Sequence, residues 1–255
     1  MRLVIITQNE YIYLPNFFRS FFSEIKETKV STEKIYLVPP LDKSITNQIT
    51  QGYQFYGLRN FLTQGTKRLF LQLSDRLGLN RNSVKSIAKK NKVSVRHCND
   101  INSKILISRL KKLEPHIILS VSSPQIFKKE LLQVPSWGCI NVHSAKLPKY
   151  RGRMPNFWAM HNGDDKAGIT IHTMERELDR GNIVLQDEVE IEPNDTLDSL
   201  IKKSKAKAGR LTAKALHKIE KGEEELTAPQ GPGCYKSFPT EEDIKEFRKR
   251  GNQLI

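Results

Sequence analysis

Short apolar runs bounded by polar residues alternate along the first two-thirds of the chain with segments in which apolar residues have helical spacing. Strands are predicted at residues 2–7, 34–38, 93–96, 116–121 and 138–142. Helices are predicted at residues 15–25, 61–77, 83–90, 102–113 and 124–132. The run at residues 2–7 is continuously apolar, which is typical of a strand buried on both faces of a parallel sheet, and residues 116–121 are expected to form another buried strand. The alternation predicts an α/β fold with a doubly wound, mostly parallel, Rossmann-like sheet.

The last third of the chain has a different pattern. Strands are predicted at residues 168–174 and 183–191, with Asp179 in the turn between them. Helices are predicted at 155–162, ending at Gly163, and at 196–219, and the tail shows one more helix from Thr240. We therefore expect one main domain, residues 1–222, and a short C-terminal extension, residues 223–255.

The predicted strand at 138–142 ends in polar side chains. Asn141 and His143 are two residues apart, and alternate residues of a strand point to the same face. In doubly wound sheets, ligands bind beyond the carboxyl ends of strands, where His143 falls. An amide and an imidazole that converge on one atom suit acyl-group chemistry. A carboxylate at Asp179 would raise the pKa of a neighbouring imidazole.

Each of these residues also has a simpler interpretation. A lone histidine is more often structural, and Asp179 beside Gly181 is a common turn former. Glu175 and Glu177 are close alternatives to Asp179. His161 and His172 lack the setting of a polar pair at a strand end, so we expect both to be ordinary structural residues.

Composition narrows the class of protein. The first apolar run is too short for a signal sequence or a membrane span, so we expect no membrane contact. Three widely spaced cysteines form no C-x-x-C pair, which predicts no disulfide framework, no metal site and a cytoplasmic location. The net charge is +14, and residues 59–112 contain 14 Lys or Arg against two Asp. This surplus is either a patch for an anionic partner or a set of solvated helix faces.

Several motifs, taken in order, resemble the folate-dependent formyltransferase family, which includes methionyl-tRNA, glycinamide ribonucleotide and sugar-nucleotide formyltransferases. They are Asn141-x-His143, Leu147-Pro148-x-Tyr150-Arg151-Gly152, Asn162-Gly163-Asp164, Gly168-Ile-Thr-Ile-His172 and Leu178-Asp179-x-Gly181-x-Ile183. The resemblance is strong over residues 113–191. It implies that the enzyme is a formyltransferase and that residues 1–222 are its catalytic domain.

The resemblance also implies roles for individual residues. Asn141, His143 and Asp179 would be catalytic, with 10-formyltetrahydrofolate as the formyl donor. The donor would contact two segments, residues 125–127 and residues 145–148. Their members are Gln125, Ile126, Phe127, Ala145, Lys146, Leu147 and Pro148. Ala145 and Lys146 depart from the Ser-Leu that the family more often shows there. Asn141 and protonated His143 would stabilise the oxyanion, and Asp179 would set the charge of the histidine.

These motifs indicate the formyl donor and the reaction more clearly than the formyl acceptor. Too few residues follow the predicted strands to form the second, β-barrel domain that methionyl-tRNA formyltransferases have. The glycine-rich phosphate loop of glycinamide ribonucleotide formyltransferases is not seen after the first strand. We therefore expect a small amine or an amino-sugar nucleotide, possibly anionic, with tRNA as the less favoured acceptor. The alternatives are a formyltetrahydrofolate hydrolase and a non-catalytic nucleic-acid-binding protein. The sequence leaves the oligomeric state open.

Overall fold

The fold is built on seven strands and on a separate ribbon of two very short ones. The computed structural model describes residues 1–39, 45–79 and 83–255. The strands of the main sheet are β1 Arg2–Gln8, β2 Ser31–Val38, β3 Ser94–His97, β4 Ile117–Val121, β5 Gly138–His143, β7 Lys166–Thr173 and β8 Ile183–Glu190. The ribbon pairs β6 Arg151–Gly152 with β9 Tyr235–Lys236.

Helices connect these strands and cover the sheet. They are α1 Leu14–Glu24, α2 Ile45–Arg76, α3 Val84–Lys90, α4 Lys104–Leu113, α5 Lys129–Leu132, α6 Pro155–Asn162, α7 Leu197–Lys221 and α8 Glu241–Lys249. Side-chain caps begin several of them: Ser83, Ser103, Thr196 and Thr240 each accept a hydrogen bond from a backbone N–H of the first turn. Gly163 and Gly222 end α6 and α7 in the left-handed conformation.

The strand order of the main sheet is β3-β2-β1-β4-β5-β7-β8. The first five of these strands pair in parallel, whereas β7 and β8 pair antiparallel. The carboxyl ends of β1 to β5 therefore meet at one edge of the sheet. This mostly parallel α/β arrangement confirms the predicted fold class, and β1, β4 and β5 lie within one residue of their predicted bounds.

Apolar side chains cover both faces of the sheet, and β1 is therefore buried on both sides. Leu3 and Ile5 pack on one face with residues of α1, α3 and α7, while Val4 and Ile6 pack on the other with residues of α4 and α5. A third cluster joins α6 to the C-terminal helix α8, with Phe157 stacked on Phe247 at a centroid distance of 4.7 Å. The C-terminal extension is therefore packed against the main body.

Two helix predictions differ from the structure. The helix expected at 124–132 is wrong over its first five residues, because only Lys129–Leu132 is helical. Contacts with the loop before α4 hold the preceding segment: Ile126 O accepts a hydrogen bond from Asn102 Nδ2 at 2.9 Å. The helix expected at 61–77 is part of the longer α2, which bends at Gly57, where φ is 72°.

No helix among the described residues is long and apolar enough to cross a membrane. The 32-residue α2 is long, but Arg59, Lys67, Arg68 and Arg76 interrupt its apolar positions.

Candidate active site

The end of β5 carries two polar side chains on one face of the sheet. Ile140 and Val142 belong to the core on the opposite face, so the alternation of the strand directs Asn141 and His143 to the same side. β5 lies between the parallel β4 and the antiparallel β7. Because β5 is an internal strand, its backbone hydrogen bonds hold both side chains at defined positions.

Asp179 lies beside His143, as the sequence predicted. It is 7% exposed and has a φ of 52° in the turn between β7 and β8. Its Oδ2 is 3.7 Å from His143 Nδ1 and accepts a hydrogen bond from Gly152 N at 2.9 Å. Glu177, the alternative carboxylate of this turn, is exposed and pairs with Arg180 at 2.9 Å. The structure therefore brings Asn141, His143 and Asp179 into one cluster.

His172 is the site residue that the sequence prediction missed. It lies directly across from Asn141 in the β5–β7 pairing, and its Nε2 is 3.2 Å from Asn141 Nδ2 and 3.7 Å from Asp179 Oδ1. The other ring nitrogen, Nδ1, donates to Thr173 O at 2.8 Å. Burial lowers the pKa of His172 well below its usual value, the charge of His143 lowers it further, and Asp179 opposes both. His172 is therefore neutral, with Nε2 as an acceptor that orients the Asn141 amide.

Both ring nitrogens of His143 face oxygen atoms. His143 Nε2 donates to Tyr150 O at 2.9 Å, while Nδ1 faces the Asp179 carboxylate. The two histidines therefore have different surroundings: His172 Nε2 faces an amide N–H, whereas His143 lies between a carboxylate and a carbonyl.

A loop between β5 and α6 supports this cluster and depends on the C-terminal extension. Arg151 N donates to Cys234 O at 2.9 Å and Arg153 N to Lys236 O at 2.8 Å, so β9 holds the loop on both sides of Gly152. Gly152 has a φ of 99°, and a Cβ there would lie 2.3 Å from Lys236 O. The backbone N–H that orients Asp179 thus requires glycine at position 152.

The segment predicted to line a folate site after β5 is fixed mainly through its backbone. Thr170 Oγ1 donates to Ala145 O at 2.6 Å and accepts from Leu147 N at 3.2 Å. Ala145 and Leu147 are buried, whereas Lys146 is exposed and pairs with Glu188 at 2.9 Å. The Leu147–Pro148 peptide is cis.

The segment predicted to contact the donor after β4 lies at the same edge of the sheet on a different loop. The Gln125 side chain bridges to the loop before α4, accepting from Ile101 N at 3.0 Å and donating to Asn99 O at 2.8 Å. Phe127 is buried in the core, while the Ile126 side chain is 65% exposed. Of these three side chains, that of Ile126 is therefore the exposed one.

Comparison with known proteins gives the family. Residues 72–216 match the family described as formyl transferase. A methionyl-tRNA formyltransferase of Thermotoga sp. (strain RQ2) is 37% identical over 143 residues, covering 56% of this chain and 46% of that protein. The chain thus spans about half the length of the curated relatives it matches.

Solved structures of related enzymes have the same fold. Glycinamide ribonucleotide transformylase 1 from Symbiobacterium toebii superimposes with a TM-score of 0.62 at 14% identity, covering 90% of this chain and 94% of that one. An N-formyltransferase from Helicobacter canadensis, solved in complex with folinic acid and dTDP-3-aminofucose, superimposes with a TM-score of 0.58 at 18% identity, covering 92% and 70%. Because the family match extends over more than half of its residues, the chain belongs to the formyl transferase family.

Proposed function

We propose that this chain transfers a formyl group from 10-formyltetrahydrofolate to an amine, and that the acceptor is a small amine or an amino-sugar nucleotide. The observation that carries the proposal is the cluster of half-buried Asn141 with buried His143 and Asp179 at the carboxyl end of β5. It combines an amide donor, an imidazole and a carboxylate. Membership of the formyl transferase family supports the reaction class.

The chemistry follows from the polarity of these groups. When the acceptor amine attacks the formyl carbon, Asn141 Nδ2 donates to the developing oxyanion with the hydrogen that His172 does not accept, and a positive charge on His143 stabilises the oxyanion. Asp179 stabilises the imidazolium and accepts the amine proton through water, while His172 holds the Asn141 amide in its donating orientation. The carbon–nitrogen bond to the acceptor forms as the bond to N10 of the folate breaks. The proton lost by the amine balances the proton gained by N10.

Two exposed apolar side chains support a folate donor at this edge of the sheet. Ile126 is 65% exposed in the loop after β4, and Leu178 is 50% exposed next to Asp179. A flat aromatic ring system such as a pterin buries apolar surface of this kind while its edge bonds to backbone groups. The folinic acid bound by the Helicobacter canadensis enzyme supports the same class of donor.

A second acceptor, methionyl-tRNA, is favoured by separate observations. The curated relative from Thermotoga sp. is a methionyl-tRNA formyltransferase. The basic segment at residues 59–112 provides cations of the kind that contact phosphates. Its Arg59, Lys67, Arg68 and Arg76 lie on α2, and all four side chains are exposed.

Both acceptor classes are tested in one experiment. The purified chain is incubated with 10-formyltetrahydrofolate alone, with a panel of amines and amino-sugar nucleotides, and with methionyl-tRNA. Tetrahydrofolate is followed by absorbance and the acceptor by mass. Acceptor-dependent turnover with a formylated product supports transfer and names the acceptor class. Release of formate at the same rate without acceptor supports a hydrolase instead, and no turnover under any condition contradicts the proposal.

The Asn141→Ala variant ties turnover to the cluster. Loss of one oxyanion donor is expected to lower kcat on the order of a hundred-fold. Asn91 is a matched asparagine at the end of α3, where its Nδ2 donates to Ile87 O at 2.9 Å, so Asn91→Ala is expected to lower the melting temperature more than kcat. Equal kcat losses in the two variants would argue against a direct role for Asn141.

A further inference from the structure

The order of the strands changes direction between β1 and β4. From β1 the sheet grows to β2 and β3 on one side, and the chain then returns to add β4 and β5 on the other. In doubly wound sheets, ligands enter a crevice beyond the carboxyl ends of the strands at this point. Val121, the last residue of β4, pairs with Val142 of β5, so Ser122 begins its loop at the level of His143. The crevice therefore borders the catalytic cluster.

One lysine of the chain reaches into this crevice. Lys205 lies on α7, and its Nζ donates a hydrogen bond to Ser122 Oγ at 2.9 Å. The carboxylate that acts on its charge is Glu10, which lies two residues beyond the end of β1. The amine of Lys205 is therefore held between the carboxyl ends of β1 and β4.

Lys205 differs from its neighbours on α7 in its partners. Three other lysines of this helix form ion pairs: Lys202 with Asp198, Lys203 with Asp195 and Lys207 with Asp187. Lys205 forms no ion pair with any carboxylate that the structure describes, and it contacts the neutral hydroxyl of Ser122 instead. Burial of the amine lowers the pKa of Lys205 to about 8. A neutral, nucleophilic amine is therefore present at mildly alkaline pH.

Glu10 opposes this effect only weakly because its carboxylate is committed to the start of α1. Glu10 Oε1 accepts a hydrogen bond from Ile12 N at 2.5 Å. Its Oε2 accepts from Tyr13 N at 2.7 Å and from Leu14 N at 2.8 Å. The backbone thus shares the negative charge that would otherwise keep Lys205 protonated.

We propose that Lys205 is itself formylated by this enzyme when no acceptor occupies the crevice. The neutral Nζ attacks the formyl carbon of 10-formyltetrahydrofolate. The bond between Nζ and the carbon forms as the bond from the carbon to N10 breaks, and the proton lost by Nζ balances the proton gained by N10. The products are tetrahydrofolate and an N-formyl-lysine. The inference rests on the proposed formyl transfer and adds a modification site to it.

The lysine side chain is long enough for this reaction. Neighbouring strands lie about 4.8 Å apart, so an amine beside Ser122 is about one strand spacing from the end of β5. Rotation about the flexible four-carbon stem of Lys205 covers a distance of this size. An acceptor amine that enters the crevice competes with Lys205 for the same formyl group. We therefore expect the acceptor that the panel identifies to protect Lys205.

Mass spectrometry of the intact chain tests the proposal. The protein is incubated with 10-formyltetrahydrofolate and no acceptor at pH 8, near the pKa of Lys205. It is expected to gain the mass of one formyl group, which peptide mapping should place on Lys205. Lys205→Arg should abolish the gain. Lys207→Arg is the matched control and should keep it, because Lys207 is paired with Asp187 at 2.8 Å.

An unmodified wild-type chain would overturn the proposal, and so would a formyl group mapped to any other residue. Asn141→Ala separates catalysed from spontaneous formylation. This variant is expected to slow the modification of Lys205 on the order of a hundred-fold, as it slows transfer to an acceptor. Equal rates in the variant and the wild type would show that the lysine reacts without the catalytic cluster, and would contradict self-formylation by the enzyme. Melting temperatures check that each variant folds.

The acceptor panel, run on the same preparation, distinguishes failure of this inference from failure of the proposed function. If an acceptor is formylated and the chain gains no mass in its absence, the assignment of Lys205 is wrong while formyl transfer stands. If neither the chain nor any acceptor is formylated and folinic acid does not bind, the proposed function fails as well.

Discussion

Replacing Asp179 by Asn tests the electrostatic role of the carboxylate with almost no change in shape. Asp179 Oδ2 lies 3.7 Å from His143 Nδ1, and both side chains are more than nine-tenths buried. At an effective dielectric constant of about 20, unit charges at this separation attract by about 4 kcal/mol. The asparagine oxygen still accepts the hydrogen bond from Gly152 N, so the loop keeps its anchor. The variant therefore removes the charge and little else.

If about half of that attraction, about 2 kcal/mol, acts on the transition state, kcat falls about 30-fold, since each 1.4 kcal/mol is a factor of ten. The assay is tetrahydrofolate formation at saturating 10-formyltetrahydrofolate, with the acceptor that the panel identifies. Glu177→Gln is the control, because it makes the same acid-to-amide change on an exposed carboxylate of the same turn. The reasoning is refuted if Asp179→Asn keeps more than a tenth of wild-type kcat, or if Glu177→Gln loses as much.

Three further predictions concern stability. Gly152→Ala forces a Cβ against Lys236 O at a positive φ and is expected to lower the free energy of unfolding by at least about 2 kcal/mol in urea titrations. Gly163→Ala also has a positive φ but an open surrounding, so a loss of the same size there would show that the contact with Lys236 contributes nothing. The pKa of His172 is lower in the folded state than in the unfolded chain. As the pH falls below about 6.5, this residue therefore binds a proton in the unfolded chain before it does so in the folded one. Stability is therefore expected to decrease between pH 7.5 and pH 5, by on the order of 1–2 kcal/mol through this residue, and His172→Gln should flatten that part of the urea-derived profile. Thr240→Ala removes the capping box of α8 and should cost about 1 kcal/mol in the same titrations; an unchanged midpoint would contradict a stabilising role for this helix start.

Local patterns of apolar and polar residues were sufficient to predict the parallel part of the sheet. The runs of β1 and β4 are almost entirely apolar on both faces, which is typical of strands covered on both sides of a parallel sheet. The pairing of Asn141 with His143 followed from strand periodicity alone. Asp179 entered the site through the family resemblance and lies where that resemblance implied. The predicted contacts of residues 125–127 and 145–148 with a folate stay predictions.

Other features depended on which elements meet in space. His172 joins the site because β7 runs antiparallel beside β5 in a register that sets it opposite Asn141, and neither direction nor register is encoded in the strand itself. The expected helix at 124–132 was wrong because Asn102 and the loop before α4 compete for its backbone and side-chain groups.

The sequence by itself determined most of the strands and helices and the polar pair at the end of β5, because these depend on residues that are close along the chain. The tertiary structure decided which distant groups complete the site. Gly152 N reaches Asp179 only because β9, more than eighty residues later, pairs with β6. The position of α2 likewise depends on a distant partner, since Phe55 packs against Phe157 of α6 at a centroid distance of 5.8 Å.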